Sequence, residues 1–268
     1  MKIRTARSEV AYIDEGKGRP LVLVHPFPLS AEAYRTDADV LADSLRIVAP
    51  SMRGFGGSSP FDAVTPPSID AMADDVAALL DQLDLREPVV VGGISMGGYV
   101  ALAFARRHAD RLAGLVLADT RAEPDSDVAR ANRDRNIARV EAGEFAPFVD
   151  ELVPNLVAKR TIDTRPEIVG QVRAIALQQT EAAVAQALAA LRDRPDARPG
   201  LGSIVVPTLV LVGSEDSVTP VAASEAMVQA IPKATLQVIE GAGHLSNLEA
   251  PSAFRDAVRA FVARLPGT

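Results

Sequence analysis

The sequence predicts an α/β protein with a mostly parallel, doubly wound sheet interrupted by one helical insertion. Three observations carry that expectation. Short apolar runs alternate with helical periodicity along the 268-residue chain, most of those runs are continuous rather than apolar/polar alternations, and the rhythm breaks once, between residues 121 and 200. A continuous Val/Leu/Ile run suits a strand covered on both faces, and a parallel sheet flanked by helices supplies that cover.

In chain order, strands are predicted at residues 21–24, 45–50, 88–91, 112–118, 208–212 and 235–239. A helix is predicted over 68–83, where Ile69, Met72, Val76, Leu79, Leu80 and Leu83 recur at spacings of three and four behind Ser68, a suitable N-cap. Two more are predicted at 96–108 and at 252–265, the latter with Phe254, Val258 and Phe261 as its buried stripe. Residues 121–200 are helical in pattern, rich in Ala and Arg, broken by six prolines and lacking strand signals. They are expected to form a cap-like insertion, with 1–120 and 201–268 forming the core domain.

Composition narrows the function. At 48% hydrophobic and 24% charged residues, the chain can bury a core large enough to fold. A net charge of -7, with no clustered basic stripe, repels nucleic acid phosphates. The absence of cysteine excludes disulfides, thiolate catalysis and Cys-ligated metals. No stretch approaches the roughly 18 apolar residues of a membrane span, and the N-terminal residues lack a basic segment followed by an apolar one, so a cytoplasmic protein is expected.

The chemistry begins at Gly93-Ile94-Ser95-Met96-Gly97, a G-x-S-x-G pattern between a predicted strand and a predicted helix. Glycines two residues either side of Ser95 remove Cβ atoms that a sharp strand-to-helix turn would crowd. The helix starting after Ser95 directs unpaired amides, the Met96 N–H first, at charge developing beside the serine hydroxyl. A serine also needs a base. Of the three histidines, His108 lies near the far end of that helix, about 18 Å away by helix rise, and reads as a surface residue complementing the helix dipole. His25 ends a strand in His25-Pro26-Phe27-Pro28 and reads as shaping the adjacent loop. His244, in Gly241-Ala242-Gly243-His244 before the last helix, is the candidate base.

Asp216, directly beyond the strand at 208–212, is the favoured acid over Glu215 and over Asp119, which follows the strand at 112–118. Ser95, Asp216 and His244 then all fall at carboxyl ends of strands, where open parallel sheets place their ligand sites.

In residues 93–98, 213–216, 241–244 and Ser51-Met52-Arg53-Gly54-Phe55-Gly56, the chain resembles the α/β-hydrolase superfamily, and the likeness extends over nearly its whole length. Within it the chain is similar to small carboxylesterases and β-ketoadipate enol-lactone hydrolases. The resemblance implies a movable helical cap, which 121–200 fits, and a second oxyanion donor at the Phe27 N–H beside that of Met96. Two positions depart from the family pattern: Pro26 replaces a glycine in the oxyanion loop, and Ser51 replaces an aspartate, which removes a carboxylate from a structural ion pair.

The expected chemistry is acyl transfer through Ser95, without cofactor or metal, on a small-molecule ester-like substrate. Lactone, thioester and carbon–carbon hydrolysis, and perhydrolysis, share the same three residues. His25, Tyr34, Tyr99, Phe145 and Phe148 are candidate substrate contacts, with ordinary core packing an equal alternative. Ser95 at the nucleophile position argues against a dehalogenase or epoxide hydrolase. The rival of a different class is a non-catalytic or very slow small-molecule-binding protein of the same fold.

Overall fold

Apolar runs and helix caps written into the sequence place most elements close to where they are predicted. The computed structural model describes residues 1–266. Eight strands, β1 (Lys2–Arg4), β2 (Glu9–Glu15), β3 (Arg19–Val24), β4 (Leu45–Pro50), β5 (Val89–Ile94), β6 (Leu112–Ala118), β7 (Thr208–Gly213) and β8 (Ala234–Ile239), form one sheet in the order β1-β2-β4-β3-β5-β6-β7-β8. From β4 to β8 all pairings are parallel, whereas β1 and β2 pair antiparallel at the edge. β5 and β7 are buried along their full length, as continuous apolar runs require. β8 differs from expectation: it is the outer edge strand, and Thr235, Gln237 and Val238 are exposed.

Helices cover both faces. α1 (Arg35–Leu41) follows the β3 loop, and α2 (Ile69–Gln82) begins at Ser68, whose hydroxyl accepts from the Ala71 N–H as an N-cap. α3 (Met96–Arg107) leaves the end of β5. The segment between β6 and β7 holds α4 (Asp127–Glu141), α5 (Phe145–Leu152), α6 (Lys159–Thr164), α7 (Pro166–Leu177) and α8 (Glu181–Arg192). α9 (Val221–Ala230) joins β7 to β8, and α10 (Ser246–Glu249) and α11 (Pro251–Ala263) close the chain, α11 burying Phe254, Val258 and Phe261. Among the described residues no helix is long and apolar enough to cross a membrane.

The base of the β6–β7 segment is fixed by one buried carboxylate. Asp125 accepts from Arg194 (2.6 Å), Arg133 (3.1 Å) and Arg121 (3.3 Å), joining the residues where the segment leaves the sheet to those where it returns.

Candidate active site

Ser95 sits between β5 and α3 with φ 55° and ψ -113°, a left-handed conformation that costs an ordinary residue on the order of 1–3 kcal/mol and is tolerated where the surroundings enforce it. The enforcement is close backbone approach. A Cβ on Gly97 would overlap the Val24 carbonyl oxygen at the end of β3, and one on Gly93 would meet the same oxygen at 2.6 Å. The Ser95 N–H donates to the Ala118 carbonyl (3.0 Å), and the Thr120 hydroxyl donates to the Ser95 carbonyl (2.9 Å), which anchors the turn on β6.

Above this turn, Ser95 Oγ lies 2.8 Å from His244 Nε2, and His244 Nδ1 lies 2.8 Å from Asp216 Oδ2. The three chain-distant residues therefore form one hydrogen-bonded row. Asp216 also accepts the Thr219 hydroxyl (2.6 Å) on Oδ2 and the Val218 (2.8 Å) and Thr219 (2.9 Å) N–H groups on Oδ1. Burial works against the Asp216 charge, yet the bonds from His244 and Thr219 outweigh it and hold the carboxyl below its usual range. Asp216 is thus an ionised acceptor for the Nδ1–H, which leaves Nε2 free to accept from the serine hydroxyl.

Asp119, the competing acid, is fully buried but does not reach the imidazole. It accepts from the Gly213 N–H (2.9 Å) and from the Ser246 hydroxyl (2.5 Å) and N–H (3.2 Å). Burial, with the neighbouring Asp216 charge adding, pushes its carboxyl up to about 7. Glu215 is exposed, and His108 lies at the end of α3 with Nε2 2.9 Å from Asp74.

Among the described residues neither the Phe27 nor the Met96 N–H donates to a protein oxygen. Met96 opens α3, so its amide is one of the unpaired donors at a helix start. The Pro26 carbonyl beside Phe27 accepts from the Leu29 N–H (2.9 Å) and from His25 Nδ1 (3.0 Å), which pins the loop despite the missing glycine.

Two candidate substrate contacts turn out to be scaffold. His25 exposes no surface. Its Nε2 accepts from the Met52 N–H (3.0 Å), so Nδ1 carries the proton and donates to Pro26, and burial lowers its pKa to about 4, which keeps the ring neutral. Tyr34 is equally enclosed: its hydroxyl donates to the Val24 carbonyl (3.0 Å) and accepts from the Ile94 N–H (3.2 Å), tying the end of β3 to the end of β5 just before the serine. Neither has a face left for a ligand.

Tyr99 lines a side cavity with Ile69, Leu102 and Ala122, its ring 4.3 Å beneath the Arg194 guanidinium, and Ser95 and His244 are not part of that lining. Phe145 and Phe148 lie a turn apart on the buried side of α5, and the Phe148 ring packs 6.5 Å from that of Phe27. Phe148 thus packs on the side chain of Phe27, a candidate oxyanion-hole residue.

Ser51 and Arg53 each find a partner elsewhere in the chain. The Ser51 hydroxyl accepts the Ala31 N–H (3.1 Å), and Arg53 takes its carboxylate from Asp75 of α2 in a buried two-point pair (2.6 and 3.0 Å). Sequence reasoning misses Thr219 and Glu249. Asp216 closes an Asx turn through the Val218 N–H, and that turn brings the Thr219 hydroxyl onto its carboxylate.

Residues 19–251 match the family described as alpha/beta hydrolase fold. A thermophilic esterase from Thermogutta terrifontis, solved with malate bound, superposes with a TM-score of 0.94 at 40% identity, covering 98% of each chain. The chain is 34% identical to 3-oxoadipate enol-lactonase 2 of Acinetobacter baylyi over 83% of its own length and 80% of the relative's. It is 30% identical to a non-heme chloroperoxidase of Kitasatospora aureofaciens over 91% and 92% of the two chains. Sheet order, the turn at Ser95 and these matches agree, and the chain belongs to the α/β-hydrolase fold family.

Proposed function

We propose that this enzyme hydrolyses carboxylic esters of small molecules through an acyl-enzyme on Ser95, with His244 as base and Asp216 as the acid that orients it. The observation that carries the reading is the row of contacts from Ser95 Oγ to His244 Nε2 and from His244 Nδ1 to Asp216 Oδ2, both 2.8 Å. His244 accepts the Ser95 proton as Oγ attacks the ester carbonyl. The amides of Phe27 and Met96 receive the oxyanion, and the imidazolium returns its proton to the departing alkoxide. A water, deprotonated by the same imidazole, then releases the acid and restores the serine. Asp216 stays ionised throughout and stabilises the imidazolium, and Thr219 and two amides hold it in place.

The esterase and enol-lactonase relatives support an ester or its cyclic form, a lactone, as the bond cleaved. Residues 121–200 act as the cap in this reading, with Phe148 against the oxyanion loop. The enzyme works in the cytoplasm on a diffusible substrate. A fluorophosphonate probe should label the wild type and not Ser95→Ala, and nitrophenyl esters should turn over with the same dependence on Ser95. Labelling that survives Ser95→Ala, or a folded wild type that neither labels nor hydrolyses, would refute the assignment.

A further inference from the structure

Glu249, the last residue of α10, is buried and takes no part in the row of Ser95, His244 and Asp216. Its carboxylate accepts four hydrogen bonds, and they divide by oxygen. Oε1 accepts from the Gly243 (2.9 Å) and Leu245 (3.3 Å) N–H groups, which flank His244. Oε2 accepts from the Ala158 N–H (2.8 Å) and the Thr161 hydroxyl (2.6 Å), where α6 begins in the helical insertion. Arg165 adds to the join: Nη1 donates to the Glu249 carbonyl (2.6 Å), and Nη2 donates to Thr161 Oγ1 (3.1 Å). The two segments also abut without spare room, since a Cβ on Gly243 would overlap the Ala158 nitrogen and lie 2.7 Å from the Val157 carbonyl carbon.

We propose that Glu249 is a positioning residue that sets the His244 loop and the helical insertion together, one carboxylate oxygen serving each. The proposal rests on His244 being the base. The backbone on both sides of the imidazole is fixed through Oε1, and the insertion at residues 157–165 is registered against it through Oε2. Movement of the insertion therefore reaches the imidazole through one side chain.

The donor set dictates a carboxylate. Four groups that donate need two oxygens that both accept, and glutamine keeps only one. The two partners on the His244 side are N–H groups and cannot reverse, whereas the Thr161 hydroxyl can turn to accept. Glu249→Gln therefore keeps its oxygen toward Gly243 and Leu245 and turns its NH₂ toward the insertion, where it opposes the Ala158 N–H. The amide variant loosens one side, and Glu249→Ala releases both.

The test combines hydrogen exchange by mass spectrometry with steady-state kinetics on nitrophenyl acetate, using the full-length wild type, Glu249→Gln and Glu249→Ala, with rates corrected for folded fraction by circular dichroism. In Glu249→Ala, exchange should rise in both 157–165 and 241–246, and kcat should fall roughly a hundredfold, the scale expected when a catalytic group is displaced by about 1 Å. In Glu249→Gln, the exchange increase should be confined to 157–165, with kcat at least tenfold above that of Glu249→Ala. A purely structural role predicts the same kcat per folded molecule in all three. That result, or equal exposure of 241–246 in the two variants, overturns the proposal. If the wild type fails to react with fluorophosphonate, the serine-hydrolase reading falls, and the exchange pattern still decides whether Glu249 joins the two segments.

Discussion

Replacing Asp119 with asparagine tests the electrostatics beneath the site. In the folded chain the Asp119 carboxyl is held at about 7 by burial and by the nearby Asp216 charge, against 3.8 for an ordinary aspartate. Between those values the folded chain keeps a proton that the unfolded chain has released. Stability therefore falls as pH rises from about 4 to 7 and levels off above. Each pH unit in that window is worth about 1.4 kcal/mol, so the wild type should lose on the order of 3 kcal/mol between pH 5 and 8 from this group, a large part of the 5–15 kcal/mol typical of a folded protein. Asp37, raised to about 6 by burial, adds a loss of the same sign, but it is present in both proteins and cancels. Asparagine cannot titrate, and its NH₂ in place of Oδ2 faces the Ser246 N–H, a mismatch that costs about 1–3 kcal/mol at every pH. The diagnostic is therefore the slope. Urea unfolding followed by far-UV circular dichroism, because the chain has no tryptophan, should show the stability difference between wild type and Asp119→Asn shifting by about 3 kcal/mol in the variant's favour from pH 5 to 8. Parallel curves would refute a neutral Asp119.

Four further variants read other parts of the structure. Gly97→Ala drives a methyl into the Val24 carbonyl and should cost at least about 3 kcal/mol and abolish fluorophosphonate labelling, whereas Gly170→Ala, at an exposed position of α7 with nothing within 4 Å of the added carbon, should gain about 0.5–1 kcal/mol by urea unfolding. Asp75→Ala strands the Arg53 guanidinium, whose side chain is 3% exposed, and should cost about 3–5 kcal/mol. The double variant Arg53→Met/Asp75→Leu should recover most of that loss, and a double variant no more stable than Asp75→Ala would contradict the ion-pair account.

The candidate site residues each carry a local signal in the sequence: glycines around Ser95, small residues before His244, and an acid directly after a strand. The scaffold around them does not. Tyr34 and His25 lie close to the serine turn in space, but their hydrogen bonds run to Ile94 and Met52, and those contacts exist only because β3 sits between β4 and β5. An aromatic or imidazole near a predicted site carries no mark in the sequence of which way it will face. Tyr99 follows the same rule, since its ring is claimed by Arg194 from the far end of the insertion. β1 and β2 go unpredicted for another reason: a three-residue edge strand and the half-polar Glu9–Glu15 carry no continuous apolar run. The pairing of Arg53 with Asp75 of α2 is likewise unmarked in the sequence, since it depends on packing alone.

Three carboxylates surround the His244 loop, and their partners, rather than their residue type, separate their tasks. Asp216 receives an imidazole N–H, a hydroxyl and two amides, and is held ionised. Asp119 receives fewer donors in full burial and stays largely protonated below about 7. Glu249 accepts four donors, none of them the imidazole. Asp216 is thus the one carboxylate among the three that is hydrogen-bonded to the ring, the single charge that the proposed mechanism needs to balance an imidazolium. Asp119 keeps its proton below about 7 because its three donors, all from Gly213 and Ser246, do not offset full burial beside the Asp216 charge.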